Sequence, residues 1–204
     1  MSAPELAARR PLPEDVTGTA APGWWGMVLL IATEATIFVC LIASYFYLLA
    51  STPTWPPAGI DPPRLVRPVI MTIILLVSSG PMIWAHLAIG RGHQWALKLA
   101  LALTLILGAV FLALQATEYL NDLRDFTPQS NNYGSLFYTI LTVHSIHVLL
   151  GLGMIAVLEV RAWLGHFSER RRLAIQNVGL YWHFVDALWV ILIFPTLYLA
   201  PHYL

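Results

Sequence analysis

Charged residues are scarce in this chain. Only 11% of its 204 residues are Asp, Glu, Lys or Arg, whereas 58% are hydrophobic. This composition is too apolar for an ordinary soluble domain and is typical of an integral membrane protein. The 11 basic residues are balanced by 11 acidic ones, so the chain has no excess of positive charge with which to bind nucleic acid.

Cysteine is almost absent as well. Cys40 is the single cysteine, and it lies within the first apolar run. One cysteine excludes a disulfide within the chain, a cysteine-based metal site and an iron–sulfur cluster. The polar connections between the apolar runs are too short to form a soluble domain, so any chemistry must lie within the membrane or belong to partner chains.

What the sequence has is five long apolar runs. A helix needs about 20 apolar residues to cross the hydrocarbon core, and each run reaches that length. They predict an all-α fold, an integral membrane bundle of five transmembrane helices, with spans at about 24–50, 66–89, 95–117, 134–158 and 176–199. Residues 24–204 are therefore expected to form one membrane domain. Residues 1–23 hold four prolines among Ala, Glu and Arg and predict a disordered cytoplasmic tail.

The distribution of Lys and Arg predicts the orientation. With five spans, one side of the membrane receives eight basic residues: Arg9, Arg10, Arg91, Lys98, Arg161, Arg170, Arg171 and Arg172. The other side receives three: Arg64, Arg67 and Arg124. Because cytoplasmic loops carry the excess of basic residues, we expect a cytoplasmic N-terminus and a C-terminus on the outer face.

Five ionisable residues fall near the middle of the predicted spans: Glu34, His144, His147, His183 and Asp186. His144 and His147 are spaced i, i+3, as are His183 and Asp186, so each pair faces one way. Ionisable groups within a membrane almost always face the bundle interior or a wet cavity. We therefore expect these residues to face one another, with Glu34 neutral, paired or beside water.

Three interpretations of these polar residues stay open at this point. They could satisfy one another and hold the helices together, they could form part of a proton relay or ion path, or they could bind a metal or haem. A di-iron bundle uses Glu-x-x-His on two helices, and the sequence contains no such motif. The helical neighbours of Glu34 are mostly apolar, which fits a lipid-lined groove as well as a neighbouring helix.

Aromatic residues supply a further expectation, because Trp and Tyr are enriched where a helix meets the membrane surface. We interpret five of them as interface anchors: Trp24, Trp25, Trp55, Tyr119 and Trp182.

Six short motifs carry a more specific signal. In order they are Trp25-Gly26-Met27-Val28-Leu29 with Glu34 after it, Trp55-Pro56-Pro57-Ala58-Gly59-Ile60, Trp84-Ala85-His86, Leu114-Gln115-Ala116-Thr117-Glu118-Tyr119, Tyr133-Gly134-Ser135-Leu136-Phe137 and Tyr181-Trp182-His183-Phe184-Val185-Asp186-Ala187-Leu188-Trp189. Together, over roughly residues 23–200, they resemble the cytochrome c oxidase subunit III family. One departure lies in the fourth span, where the family commonly has Phe-His-Gly-Leu-His. Here Ser145 replaces the glycine, while both histidines remain.

The resemblance implies a non-catalytic core subunit of a proton-pumping haem–copper terminal oxidase in a bacterial plasma membrane. Subunit I, the main expected contact, would hold haems and copper, subunit II would receive electrons, and a small subunit IV is a further expected partner. This chain would carry no redox centre or metal. It would stabilise subunit I, bind phospholipid around its intramembrane polar cluster and support proton uptake.

The longest members of the family have seven helices, and this sequence begins where their third begins. It resembles the five-helix form found in bacterial oxidases. In the seven-helix form the first two helices make one wall of a V-shaped cleft that holds phospholipid. We expect that wall to be absent here or supplied by another chain.

Two other functions compete with this interpretation. The accessory subunit associated with nitric oxide reductases looks alike at this level, and its neighbouring genes would be reductase subunits instead of oxidase subunits I and II. A free-standing proton or ion transporter belongs to a different class. Five helices without an inverted repeat or paired broken helices disfavour that class.

Overall fold

A computed structural model describes residues 18–57, 60 and 62–203. Five long helices confirm the predicted all-α membrane bundle, and each is long and apolar enough to cross a membrane. They are α1 (Pro22–Ser51), α2 (Val66–Gly90), α3 (Gln94–Asp122), α4 (Asn132–Trp163) and α5 (Leu173–Ala187). The helical path of α5 continues to His202, so its apolar segment is Leu173–His202.

Local sequence explains several of the helix boundaries. Pro22 occupies the first turn of α1, where its missing N–H costs nothing and its fixed φ suits a helix. The side chain of Asn131 caps α4 by accepting a hydrogen bond from the backbone N–H of Gly134 at 2.8 Å. Between α2 and α3 the chain reverses within three residues at Gly92, whose φ of +74° favours glycine.

The bundle has two ends, which we name by the chain termini. The N-terminal end holds the start of α1, the α2–α3 turn and the α4–α5 connection. The C-terminal end holds the α1–α2 and α3–α4 connections and the last turns of the α5 path. A cis peptide bond joins Trp55 to Pro56 in the α1–α2 connection.

The core forms where α3, α4 and α5 meet around Trp182. A Cβ added to Gly151 would lie 2.9 Å from the Trp182 indole, and one added to Gly108 would lie 2.7 Å from it. The two glycines therefore give the indole ring the room it occupies between α3 and α4. On its other side, the indole Nε1 donates a hydrogen bond to the Ser78 hydroxyl of α2 at 3.1 Å.

The last part of the α5 path winds more widely than an α-helix. Leu188–Ile193 and Pro195–Leu199 are π-helical, and Ala200–His202 forms one 3₁₀ turn. Pro195 has no N–H to donate, so the regular ladder cannot continue through it. Even so, four side chains along this part are fully buried: Trp189, Ile193, Leu197 and Tyr198.

The predicted disordered tail needs a correction at residues 18–23. Gly18–Ala20 forms a 3₁₀ turn, the Gly18 N–H donates to the Gln176 side chain at 3.0 Å, and the Asn177 side chain donates to the Gly23 carbonyl at 3.0 Å. These contacts attach the segment to α5, and a proline-rich composition gave no sign of them. Residues 1–17 of the predicted tail lie outside the described residues.

Candidate functional site

Glu34 and His147 form an ion-pair contact between α1 and α4. The Nε2 of His147 lies 3.0 Å from Oε2 of Glu34. The His147 side chain is 8% exposed and the Glu34 side chain is 30% exposed. Phe38, one helical turn after Glu34, packs its ring edge-on against the imidazole with ring centroids 5.1 Å apart. The carboxyl group therefore faces a neighbouring helix, while part of it stays accessible.

The hydrogen bonds of His147 fix how many protons this pair holds. Its Nδ1 lies 2.7 Å from the carbonyl oxygen of Val143, and a carbonyl only accepts, so Nδ1 carries a hydrogen. One further proton then lies between Nε2 and the Glu34 carboxyl group. Whether it sits on the nitrogen or on the oxygen, the pair has no net charge. A neutral pair removes most of the cost of placing a lone charge within a membrane.

A second polar group joins α2 to α5. The Ser79 hydroxyl donates a hydrogen bond to Oδ2 of Asp186 and lies 3.2 Å from Nδ1 of His183. Nδ1 of His183 lies 3.9 Å from the same Asp186 oxygen. Asp186 is buried, whereas the His183 side chain is 38% exposed. The predicted i, i+3 pair thus shares one hydroxyl group from α2.

His144 lies apart from both of these polar groups, in the centre of the bundle. It is fully buried, with its ring 5.1 Å from that of Trp189 and 6.0 Å from that of Phe111. Its Nε2 approaches the Val185 carbonyl of α5 at 3.4 Å. Its Nδ1 has no hydrogen-bond partner within the described part of the chain. The five predicted polar residues therefore do not form one cluster. Glu34 contacts His147, His183 and Asp186 share Ser79, and His144 is buried apart from them.

A cavity of about 300 Å³ opens beside His183 at the N-terminal end of the bundle. It lies between the start of α1, α2 and α5, and its walls include Trp24, Met82, His86 and Gly179. Most of its wall is apolar, and the lining includes His86 of α2 and His183 of α5. Such a cavity within a membrane segment suits a hydrocarbon chain better than a charged solute.

The residues interpreted as interface anchors have different surroundings. Trp25 is 54% exposed and donates its indole N–H to the Thr19 carbonyl at 2.9 Å, and Trp24 and Tyr119 are partly buried. Trp55 packs against Tyr45 at the C-terminal end of the bundle. Trp182 does not fit the expectation, because it is 0% exposed and packs against Gly108 and Gly151. Trp182 lies six residues inside the predicted span, and this depth was the sequence signal against an interface position.

Sequence reasoning missed two polar contacts. Ser79 was not singled out, although consecutive serines before Gly80-Pro81 in an apolar run were a signal. Arg67 and Glu118 form an ion pair at 3.0 Å between α2 and α3. Their pairing was open to prediction, because one begins its span and the other ends its span on the same side of the membrane.

No group of three or more His, Cys, Asp and Glu side chains is placed to hold a metal ion among residues 18–57, 60 and 62–203. Glu34 instead contacts His147, and Ser79 contacts Asp186 and His183, which is the bonding pattern of helix-to-helix contacts in membranes.

Comparison with known proteins gives consistent matches. The family model described as Cytochrome c oxidase subunit III matches residues 17–200, a range that includes all five helices. The chain is 37% identical over 175 residues to cytochrome c oxidase subunit 3 of the earthworm Lumbricus terrestris, 37% identical to that of the sea star Pisaster ochraceus and 34% identical to that of the rabbit Oryctolagus cuniculus. Each match covers 82% of this chain and 66% of the relative.

Proposed function

Because this chain belongs to the cytochrome c oxidase subunit III family, we propose that it is the non-catalytic core subunit III of a proton-pumping haem–copper terminal oxidase. In that complex it flanks subunit I, with subunit II and a small subunit IV as further partners. The haems and copper belong to the partners, and this chain stabilises subunit I, binds phospholipid and supports proton uptake. The observation that carries the proposal is the family match over all five helices.

The polar contacts favour a stabilising role for this chain. Glu34 with His147 joins α1 to α4, and Ser79 with Asp186 joins α2 to α5. Each contact links helices that are far apart in sequence, so together they hold the ends of the chain in one bundle. Neither extends into a continuous row of donors and acceptors across the described residues. We therefore assign Glu34 a structural, lipid-adjacent role instead of an obligatory step in proton pumping.

Phospholipid is the proposed occupant of the apolar surfaces. The Glu34 side chain is 30% exposed on α1, and large apolar side chains are exposed beside it, among them Leu30 and Ile37. The cavity beside His183 offers a mostly apolar wall. We place the protein in the bacterial plasma membrane with the N-terminus in the cytoplasm, which puts this cavity near the cytoplasmic face.

Purification through an affinity tag on this chain tests the proposed function. Membranes are extracted in mild detergent, and the co-purifying chains, the haem spectrum, the copper content and the oxygen consumption are measured, with an untagged strain as control. We expect subunits I and II, haem and copper to accompany the tagged chain. We also expect the chain to show no Soret band once its partners are stripped away. Recovery of nitric oxide reductase subunits, or of the chain without any haem protein, would contradict the proposal.

A further inference from the structure

Two imidazoles line the cavity at the N-terminal end of the bundle. His183 and His86 both belong to its wall, beside the indole of Trp24. Its apolar lining comes from Met82, Ile83, Ile175 and Leu180. The cavity has a volume of about 300 Å³. A mostly apolar space of this size between helices, with a few fixed polar groups, is the common form of a small-molecule site.

Ser79 determines how His183 can bond to a ligand. The Ser79 hydroxyl donates its hydrogen to Asp186, so toward Nδ1 of His183, 3.2 Å away, its oxygen can only accept. Nδ1 therefore carries the ring hydrogen, and Nε2 of a neutral His183 is a hydrogen-bond acceptor. The His183 side chain is 38% exposed, and its Nε2 makes no hydrogen bond within the described part of the chain. A hydroxyl group that enters the cavity can donate to this nitrogen.

His86 lies on the same face of α2 as Ser79. The two residues are seven positions apart, which is two helical turns and about 10 Å along the axis. Because Nδ1 of His183 lies beside Ser79, the two imidazoles are separated by about the same distance along the helix. His86 is partly buried and makes no hydrogen bond to the other described residues. The cavity thus offers a hydrogen-bonding ring at each of two depths.

The wall disfavours three kinds of ligand. Among the described residues that line it, none is Asp, Glu, Lys or Arg, so a phosphate or carboxylate would enter without a charged partner. Two imidazoles about 10 Å apart cannot share one metal ion, because each ligand atom must lie about 2 Å from the metal. A bare hydrocarbon chain would leave both imidazoles without a hydrogen bond.

An uncharged ring with an oxygen at each end fits the two imidazoles. Oxygens at opposite corners of a six-membered ring are about 5 Å apart, and a hydrogen bond of about 3 Å at each end brings the span to about 11 Å. That length agrees with the separation of His86 and His183 along α2. The flat ring itself suits a space bounded by an indole and aliphatic side chains.

We propose that this cavity binds the ring of a lipid-soluble 1,4-hydroquinone. One ring hydroxyl donates to Nε2 of His183, and the other bonds to His86. The hydrocarbon tail leaves past Ile83, which is 51% exposed on the outer surface of α2. The inference rests on the lipid binding proposed for this chain and names the kind of lipid in this cavity, while phospholipid covers the outer surfaces. It requires binding alone and no electron transfer.

Calorimetric titration of the intact complex tests the proposal. The tagged chain is purified with the subunits that accompany it and is titrated anaerobically with a 1,4-hydroquinone that carries a decyl chain. The dimethyl ether of the same compound keeps the ring but cannot donate, so we expect it to bind at least about tenfold more weakly. His86→Phe keeps a ring at that position but removes its nitrogens, and it should weaken hydroquinone binding by about three- to tenfold.

Two tryptophan substitutions on α2 show where the compound binds. Ile83→Trp places a larger side chain at the cavity wall, and we expect it to weaken binding by at least about tenfold. Leu87→Trp is the matched control, because Leu87 is 49% exposed on the same helix and does not line the cavity. This variant should bind the hydroquinone as the parent does.

Three results would overturn the proposal. They are a parent complex without saturable binding, equal affinities for the hydroquinone and its dimethyl ether, and an Ile83→Trp complex that binds as tightly as the parent. The last result would place the compound on a partner subunit. The co-purifying chains are identified in the same sample, so a complex without oxidase subunits would contradict the proposed function, and the titration would still decide what the cavity binds.

Discussion

The imidazole of His147 on α4 lies 3.0 Å from the carboxyl group of Glu34 on α1, although the two residues are 113 positions apart in the sequence. The His147 ring is itself fixed by the carbonyl of Val143 at 2.7 Å. Because Nδ1 donates to that carbonyl, the pair can hold its single shared proton on either partner without changing the shape of the contact.

Glu34→Gln should therefore leave assembly and oxygen reduction largely intact. The glutamine NH₂ group can donate to Nε2 of a neutral His147, so the contact between α1 and α4 is retained. We expect a milder effect, faster loss of activity during prolonged turnover, if lipid or proton supply to subunit I is disturbed. Oxygen consumption and protons released per electron should be followed over many turnovers in reconstituted vesicles.

Glu34→Leu is the matched control for that experiment. It has similar bulk but no donor, so the buried His147 Nε2 loses its partner at a cost of about 1–3 kcal/mol. We expect less complex to be recovered than with Glu34→Gln. If a normally assembled Glu34→Gln complex no longer pumps protons, Glu34 is part of the proton path and its proposed structural role is wrong.

Gly151→Ala should destabilise the bundle, because its new methyl group would lie 2.9 Å from the Trp182 indole. Trp182 is enclosed by α2, α3 and α4 and has little freedom to move. Overpacking of this kind costs about 1–3 kcal/mol. Gly153→Ala, two residues along the same helix, meets nothing within 4 Å and should match the parent. Thermal denaturation of the two purified variants checks the pair, and equal Tm values would mean that Trp182 does not fill that space.

Ser79→Ala should weaken the contact between α2 and α5. Asp186 is 4% exposed and would lose the hydroxyl that donates to its Oδ2, and an unsatisfied buried acceptor costs about 1–3 kcal/mol. Ser44→Ala is the control, since Ser44 is exposed and its hydroxyl donates to the Cys40 carbonyl of its own helix at 2.9 Å. Detergent stability of the purified protein should fall for the first variant alone. A Ser79→Ala protein as durable as Ser44→Ala would show that the contact contributes nothing.

The orientation can be tested with single cysteines in a chain from which Cys40 has been removed. Thr54 is exposed in the α1–α2 connection and His93 is exposed in the α2–α3 turn. In right-side-out vesicles an impermeant maleimide should label Thr54→Cys and leave His93→Cys unlabelled until the membrane is broken. The reverse pattern would place the N-terminus outside and contradict the eight-to-three distribution of basic residues.

The sequence was sufficient to predict the five helices, but not to predict which face each helix turns toward its neighbours. Long apolar runs predict a span whichever way it faces, because hydropathy is averaged over the whole run. The face that Trp182 presents depends on Gly108 and Gly151, which lie 74 and 31 residues before it. No local pattern in the Tyr181–Trp189 motif carries that information, which is why an aromatic residue of the core was interpreted as an interface anchor.

The polar residues show the same limit. Their depth in the membrane follows from counting along each span, and Glu34 and His147 were both identified in this way. Which partner each one has depends on how α1 packs against α4 and α2 against α5. His144 and His147 share a stripe on α4, yet one ring faces α5 and Trp189 while the other faces α1.

The packing of α1 has a consequence for how the protein is made. This helix is synthesised before the other four, but its main contacts are with α4 and α5, which leave the ribosome last. At about 5–20 residues per second, translating the 113 residues from Glu34 to His147 takes roughly 6–23 seconds. During that interval α1 has been synthesised, but the carboxyl group of Glu34 has no imidazole partner yet. A nascent chain that ends before His147 therefore carries Glu34 without its partner.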